Sequence, residues 1–136
     1  MYELFEHTAD LGIRVKSSTL NGLFSDAACA LFAAVLDNPE SIEAEQTVEF
    51  ELEGTQTDYL LFDWLNELLY YFETKHVLFS EFSIEVSAGG FKAVCRGESL
   101  NLEKHHAAHE VKAITYHGLK VEQTEQGWQA ELIVDI

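Results

Sequence analysis

Leu60-Leu61-Phe62-Asp63-Trp64-Leu65-Asn66-Glu67-Leu68-Leu69-Tyr70-Tyr71-Phe72 carries the strongest periodic signal in the chain. Leu60, Leu61, Trp64, Leu65, Leu68, Leu69 and Phe72 recur three or four residues apart, so on a helix they fall along one stripe. Thr57 or Asp58 offers an N-cap ahead of that stripe, and the pattern runs to about Lys75. Each large apolar side chain contributes roughly 1.5–3 kcal/mol when fully buried, so this face supplies much of the core and must pack on a sheet.

The flanking sequence provides the sheet. Upstream, Val48, Phe50 and Leu52 alternate with acids from Thr47 to Glu53, a strand with one wet face that ends at Gly54. Before it, Leu20, Leu23, Phe24, Ala27, Leu31, Phe32 and Val35 predict a first helix from about Leu20 to Leu36, capped by Thr19 and stopped before Asp37-Asn38-Pro39. Ile13, Val15 and Ser17 alternate with Arg14, Lys16 and Ser18 as a half-buried strand. Downstream, Phe82 to Val86 and Phe91 to Arg96 form an antiparallel pair about Gly89-Gly90. A later pair, Ala113 to Glu122 and Trp128 to Ile136, is joined through Thr124-Glu125-Gln126-Gly127. The expected fold is α+β: a single domain over residues 1–136, with a mostly antiparallel or mixed sheet and both amphipathic helices packed on it.

Composition narrows the function classes. The chain has 136 residues and carries 24 acids against eight bases, a formal net charge of −16, so most of its surface repels phosphate backbones and favours a basic partner. Direct nucleic-acid binding is not expected. The longest apolar runs, such as Ala27 to Leu36, fall well short of the roughly 20 residues needed to span a bilayer. No basic and apolar leader opens the sequence, and Cys29 and Cys95 lie apart among apolar neighbours as free, buried thiols do. Cytoplasmic residence is the expectation.

Four polar constellations stand out. Glu6-His7-Thr8-Ala9-Asp10 lies between apolar segments beside Gly12, a residue that permits unusual backbone angles. Its acids could serve a hard divalent ion, or Asp10 and Thr8 could simply satisfy turn amides. The C-terminus places the Asp135 side chain next to the terminal carboxylate of Ile136, a repulsive pair unless a cation or proton intervenes, or else an ordinary frayed end. His105, His106, His109 and His117 invite a zinc reading if His105 and His109 share a helical face, but a solvated loop explains Glu103 to Glu110 as well. Lys112, in Glu110-Val111-Lys112-Ala113-Ile114-Thr115-Tyr116-His117, could contact phosphate or merely neutralise nearby acids. No nucleophile elbow, phosphate loop or dinucleotide fingerprint is present.

Taken in order, Phe5-Glu6-His7-Thr8-Ala9-Asp10-Leu11-Gly12, the leucine-rich helix, Glu110 to His117 and the terminal Asp135-Ile136 resemble the archease family over essentially the whole chain. The resemblance implies a protein that is not itself an enzyme. It implies an accessory factor for an RtcB-type RNA ligase, one that promotes guanylylation of the ligase and its repeated turnover in tRNA splicing and RNA repair. It also implies a bound divalent ion, calcium, held by Asp10, Asp135 and Ile136. His7, Asp63 and Lys112 are further candidates on the side facing the partner. Two other readings stay open: a small metal-dependent phosphoester hydrolase using the same carboxylates, and a chaperone or interaction module that needs no ion.

Overall fold

The computed structural model describes all residues, 1–136. The chain opens on a hairpin of β1 (Tyr2–His7) and β2 (Asp10–Ser17), followed by α1 (Leu20–Val35), a short 3-10 turn (Pro39–Ser41) and β3 (Gln46–Glu53). Then come α2 (Thr57–Lys75), the hairpin β4 (Val77–Ser87) and β5 (Gly90–Ser99), a long connection, β6 (Ala113–Ile114), β7 (Lys120–Thr124) and β8 (Gly127–Asp135). Every strand pairing is antiparallel, and the α+β class stands as expected.

The strands divide into two sheets instead of the one expected from the sequence. The larger runs β1-β2-β8, with β6 and β7 both on the far side of β8; the smaller runs β3-β5-β4. The first helix accounts for the division. Ala27, Ala28, Ala30 and Ala34 join Leu23, Phe24, Leu31, Phe32 and Val35 in being buried, so α1 is apolar almost all round. It packs against β2 of one sheet and β4 of the other, and a helix with that surface belongs between two layers. Thr19 caps it, its hydroxyl accepting from the Gly22 amide at 3.0 Å.

The α2 stripe is buried as its spacing predicts, from Leu60 to Leu69. Trp64 is fully enclosed and its indole N–H donates to the Phe24 carbonyl at 3.0 Å, joining the two helices. Phe50, Phe82 and Phe91 surround that ring edge-on. The cap differs from expectation: Gln56 occupies the N-cap position without a side-chain bond, and Thr57 and Asp58 lie inside the first turn. Asp58 still places its charge favourably near the positive end of the helix dipole.

The edge beside β8 is also interrupted. Ala113 faces Asp135 and Lys120 faces Glu131, so seven steps along one side match four along the other and three residues loop out. Gly118, with φ of 65°, makes that excursion possible. Tyr116 and His117 therefore leave the strand in which the sequence pattern had put them. No helix is long and apolar enough to cross a membrane.

The segment from Asn101 to Glu110 is neither a helix nor a loose loop. Ala108 and His109 amides donate to the Val35 and Ala34 carbonyls, capping the C-terminal end of α1. The shared helical face for His105 and His109 does not exist. His105 is buried, its Nδ1 accepting from the Asn101 amide at 2.9 Å and its Nε2 lying 3.1 Å from Glu98. Both ring nitrogens are thus engaged, and no group of three or more His, Cys, Asp or Glu side chains in the chain converges to hold a metal ion of any kind, zinc included. Glu98 also accepts from the Glu43 amide at 2.7 Å and from Lys104 at 2.8 Å. Burial alone would raise its pKa, but the bonds from Lys104, the Glu43 amide and His105 outweigh that and hold the carboxyl at about 2.

Candidate functional site at the carboxylate end of the larger sheet

The site begins at the β1–β2 turn. His7 pairs with Asp10 across a two-residue connection, Thr8-Ala9, and Thr8 has φ of 55°. Hairpins of this kind usually carry glycine where the backbone turns positive, and a β-branched residue there is strained. Gly12 has a different role from the one its flexibility suggested. Its φ is not positive, but the Phe5 ring lies across it so closely that a Cβ would overlap the ring. Arg14 then covers Phe5, its guanidinium carbon 4.5 Å from the ring centre, while pairing with Glu3 and Glu131.

Register joins the two ends of the chain. Leu11 pairs with Val134, so one further step sets Asp10 opposite Asp135. Leu11, Ile13 and Val15 point to the core on β2, and Ala130, Leu132 and Val134 do so on β8. Period-two alternation therefore turns Asp10 and Asp135 to the same outer face, away from the helices. Opposed like charges in neighbouring strands are destabilising. Neither carboxylate, nor that of Ile136, takes part in any ion pair of the chain. The C-terminus is not frayed: the Lys112 amide donates to the Asp135 carbonyl at 2.7 Å, and Ile136 packs against the core.

His7 lies on the same face, following Phe5 by two positions. Its ring meets His117 from the excursion beside β8, with centroids 5.4 Å apart and planes tilted by 57°. The His7 Nδ1 atom is buried and has no hydrogen-bond partner. His117 thus belongs with His7 and not with His105, His106 and His109, a pairing that sequence spacing could not reveal because it depends on three looped-out residues. Lys112 comes to the site through its backbone. Its position lines a crevice on the α2 side with Asn66, Glu67, Tyr70 and Glu73, and its ammonium makes no ion pair. Asp63 is exposed on α2, next to Phe62, whose ring stacks on Tyr116 at 3.9 Å.

The donor set is chemically coherent. Two side-chain carboxylates and a terminal carboxylate offer oxygen alone, which suits a hard cation such as calcium or magnesium better than a soft one. The cysteines are remote from this chemistry. Both are free; Cys95 is buried and its thiol is pushed up to about 12 by burial, and the half-buried Cys29 is raised by burial and by Asp26.

Comparison with known proteins gives a consistent result. The model of the Archease protein family (MTH1598/TM1083) matches residues 2–136. Protein archease of Pyrococcus furiosus is 39% identical over 140 residues, spanning 99% of this chain and 98% of its own. That of Methanopyrus kandleri is 40% identical over 139 residues, spanning 99% of each. Among solved structures, Methanobacterium thermoautotrophicum protein 1598 superposes with a TM-score of 0.84 at 30% identity, covering 99% of this chain and 98% of its own. The crystal structure of a Thermotoga maritima archease, described as a possible chaperone, gives a TM-score of 0.70 at 22% identity over 100% of this chain and 98% of its own, a likeness of fold alone. With a family match from Tyr2 to the last residue and relatives similar over their full length, this chain belongs to the archease family.

Proposed function

We propose that this protein is an accessory factor, not itself an enzyme, that activates an RtcB-type RNA ligase by promoting its guanylylation and repeated turnover in tRNA splicing and RNA repair. The observation that supports this reading is the end of the larger sheet, where the register, continued one step past Leu11 and Val134, sets Asp10 opposite Asp135 and the terminal carboxylate follows, none of the three in an ion pair. Asp10, Asp135 and the Ile136 carboxylate would hold a divalent ion, calcium by their all-oxygen chemistry. Such an ion, when bound, would offset the mutual repulsion of these carboxylates.

The chain's own residues supply positioning. The β1–β2 turn and the β8 terminus are both held by ladder hydrogen bonds, so the acidic end is presented rigidly. This end is directed at the nucleotide pocket of the ligase, where the ligase's own histidine attacks GTP. That role requires no nucleophile here, and neither cysteine thiol is activated. Lys112, whose backbone amide holds the Asp135 carbonyl, and Asp63, exposed on α2, are the further residues that would face the partner.

The test is guanylylation of a purified RtcB-type ligase from the same organism, with GTP and manganese, in the presence and absence of this protein. Faster and repeated labelling is the expected result. Unchanged labelling contradicts the proposal, and phosphoester turnover by the isolated protein would then select the hydrolase reading.

A further inference from the structure

Three of the six exposed large hydrophobic side chains lie on or against α2: Tyr59 is 51% exposed, Tyr70 64% and Tyr116 57%. Tyr116 lies flat on Phe62, with ring centres 3.9 Å apart and planes within 13°, and Tyr59 meets it edge-on at 5.9 Å. One face of the Tyr116 ring is therefore covered by Phe62, while more than half of the residue stays exposed to solvent. The ring stands on the three-residue excursion beside β8, next to His117, which touches His7 at the carboxylate end. Along α2 the exposed positions continue as Tyr59, Asp63, Glu67, Tyr70 and Glu73, tyrosines interleaved with acids, and none of these acids is in an ion pair.

We propose that Tyr116, Tyr59 and Asp63 form a docking surface that receives an arginine side chain of the partner protein. The proposal rests on the accessory reading above, with the ligase as that partner. A guanidinium is the group that fits: it stacks on an aromatic face while its planar N–H fork takes a carboxylate. Phe62 holds the Tyr116 ring in place before binding, so little side-chain freedom is lost on contact. Asp63 is one helical turn from Tyr59 and supplies the carboxylate. A net charge of −16 draws such a partner toward this surface, and the surface is continuous with the carboxylate end. A nucleobase could stack on the same ring, but the flanking acids disfavour the phosphates attached to it.

Binding of the purified ligase to this protein, measured by calorimetry for the wild type and for Tyr116→Ala, Tyr116→Phe and Asp63→Asn, tests the proposal. The expected outcome is a complex about 10–100-fold weaker for Tyr116→Ala and Asp63→Asn, as for an aromatic and charged hot spot, with Tyr116→Phe near the wild type because the ring is kept. Circular dichroism checks each fold, and Tyr59→Ala provides a second ring deletion. Wild-type binding that Tyr116→Ala leaves unchanged overturns this inference alone. Absence of any wild-type binding overturns the accessory reading and the inference together. A fluorescent single-stranded RNA that binds the isolated wild type but not Tyr116→Ala would assign the ring to base stacking and overturn it as well.

Discussion

Continued one step past Leu11 and Val134, the β2–β8 register sets Asp10 opposite Asp135, and the consequence is measurable without any partner. In a chelator-treated protein Asp10→Asn removes one of two opposed charges, so it should raise the unfolding free energy by about 0.2–1 kcal/mol. With calcium the order reverses. At about 100 times the dissociation constant the ion should stabilise the wild type by about 2.7 kcal/mol, and Asp10→Asn or Asp135→Asn should lose most of that gain in a thermal melt. A calcium shift that survives both substitutions places the ion elsewhere. The sequence made these carboxylates legible only through family resemblance, because turn satisfaction and a frayed end explained them better than an ion did. Register resolves the second alternative: the Asp135 carbonyl is bonded and Ile136 is packed. Gly12 was misread for a physical reason. Its place is fixed by a ring crossing from the neighbouring strand, and a lone sequence shows no such contact.

The helices were legible because each hides one coherent set of side chains, and α2 offers the most direct test. Trp64 packs against three phenylalanine rings and donates to the Phe24 carbonyl, so Trp64→Ala removes both packing and a buried bond. A loss of about 3–5 kcal/mol in denaturant unfolding is expected, and a loss under about 1 kcal/mol would contradict the packing described. The edge beside β8 was harder to read. Ala113 to Glu122 alternates well enough for one strand, but Gly118 and the change of register divide it into two short pieces. That division carries Tyr116 to Phe62 and His117 to His7, contacts that strand periodicity alone excludes. The His-rich segment was open in the sequence, since its spacing fitted a zinc site only nonspecifically and a solvated loop as well; neither holds, because its backbone caps α1 and His105 closes a buried network.

Across the whole molecule, that network ties β5 to the strap over α1 and gives stability a pH dependence of defined sign. Glu98 has a carboxyl pKa of about 2 in the fold against an ordinary value of 4.5. Its folded-state pKa is depressed, so its contribution is complete above about 4.5 and is lost as pH falls through that value toward about 2. Glu98→Gln should lower stability at neutral pH by about 1–3 kcal/mol, because Lys104, His105 and the Glu43 amide lose a charged acceptor. Between pH 4.5 and 2 the gap between variant and wild type should narrow; a constant gap would show that Glu98 does not titrate as described. The two sheets and the helix between them were only partly legible, since the pattern of each strand fixes its buried face but not its partners. The same scale joins the first turn to the last residue, and the proposed function depends on that junction. Guanylylation of the partner ligase by GTP should therefore be compared with wild-type protein and with Asp10→Asn/Asp135→Asn. Stimulation by the wild type that the folded double variant fails to give is the predicted result, and equal stimulation by both would contradict the account.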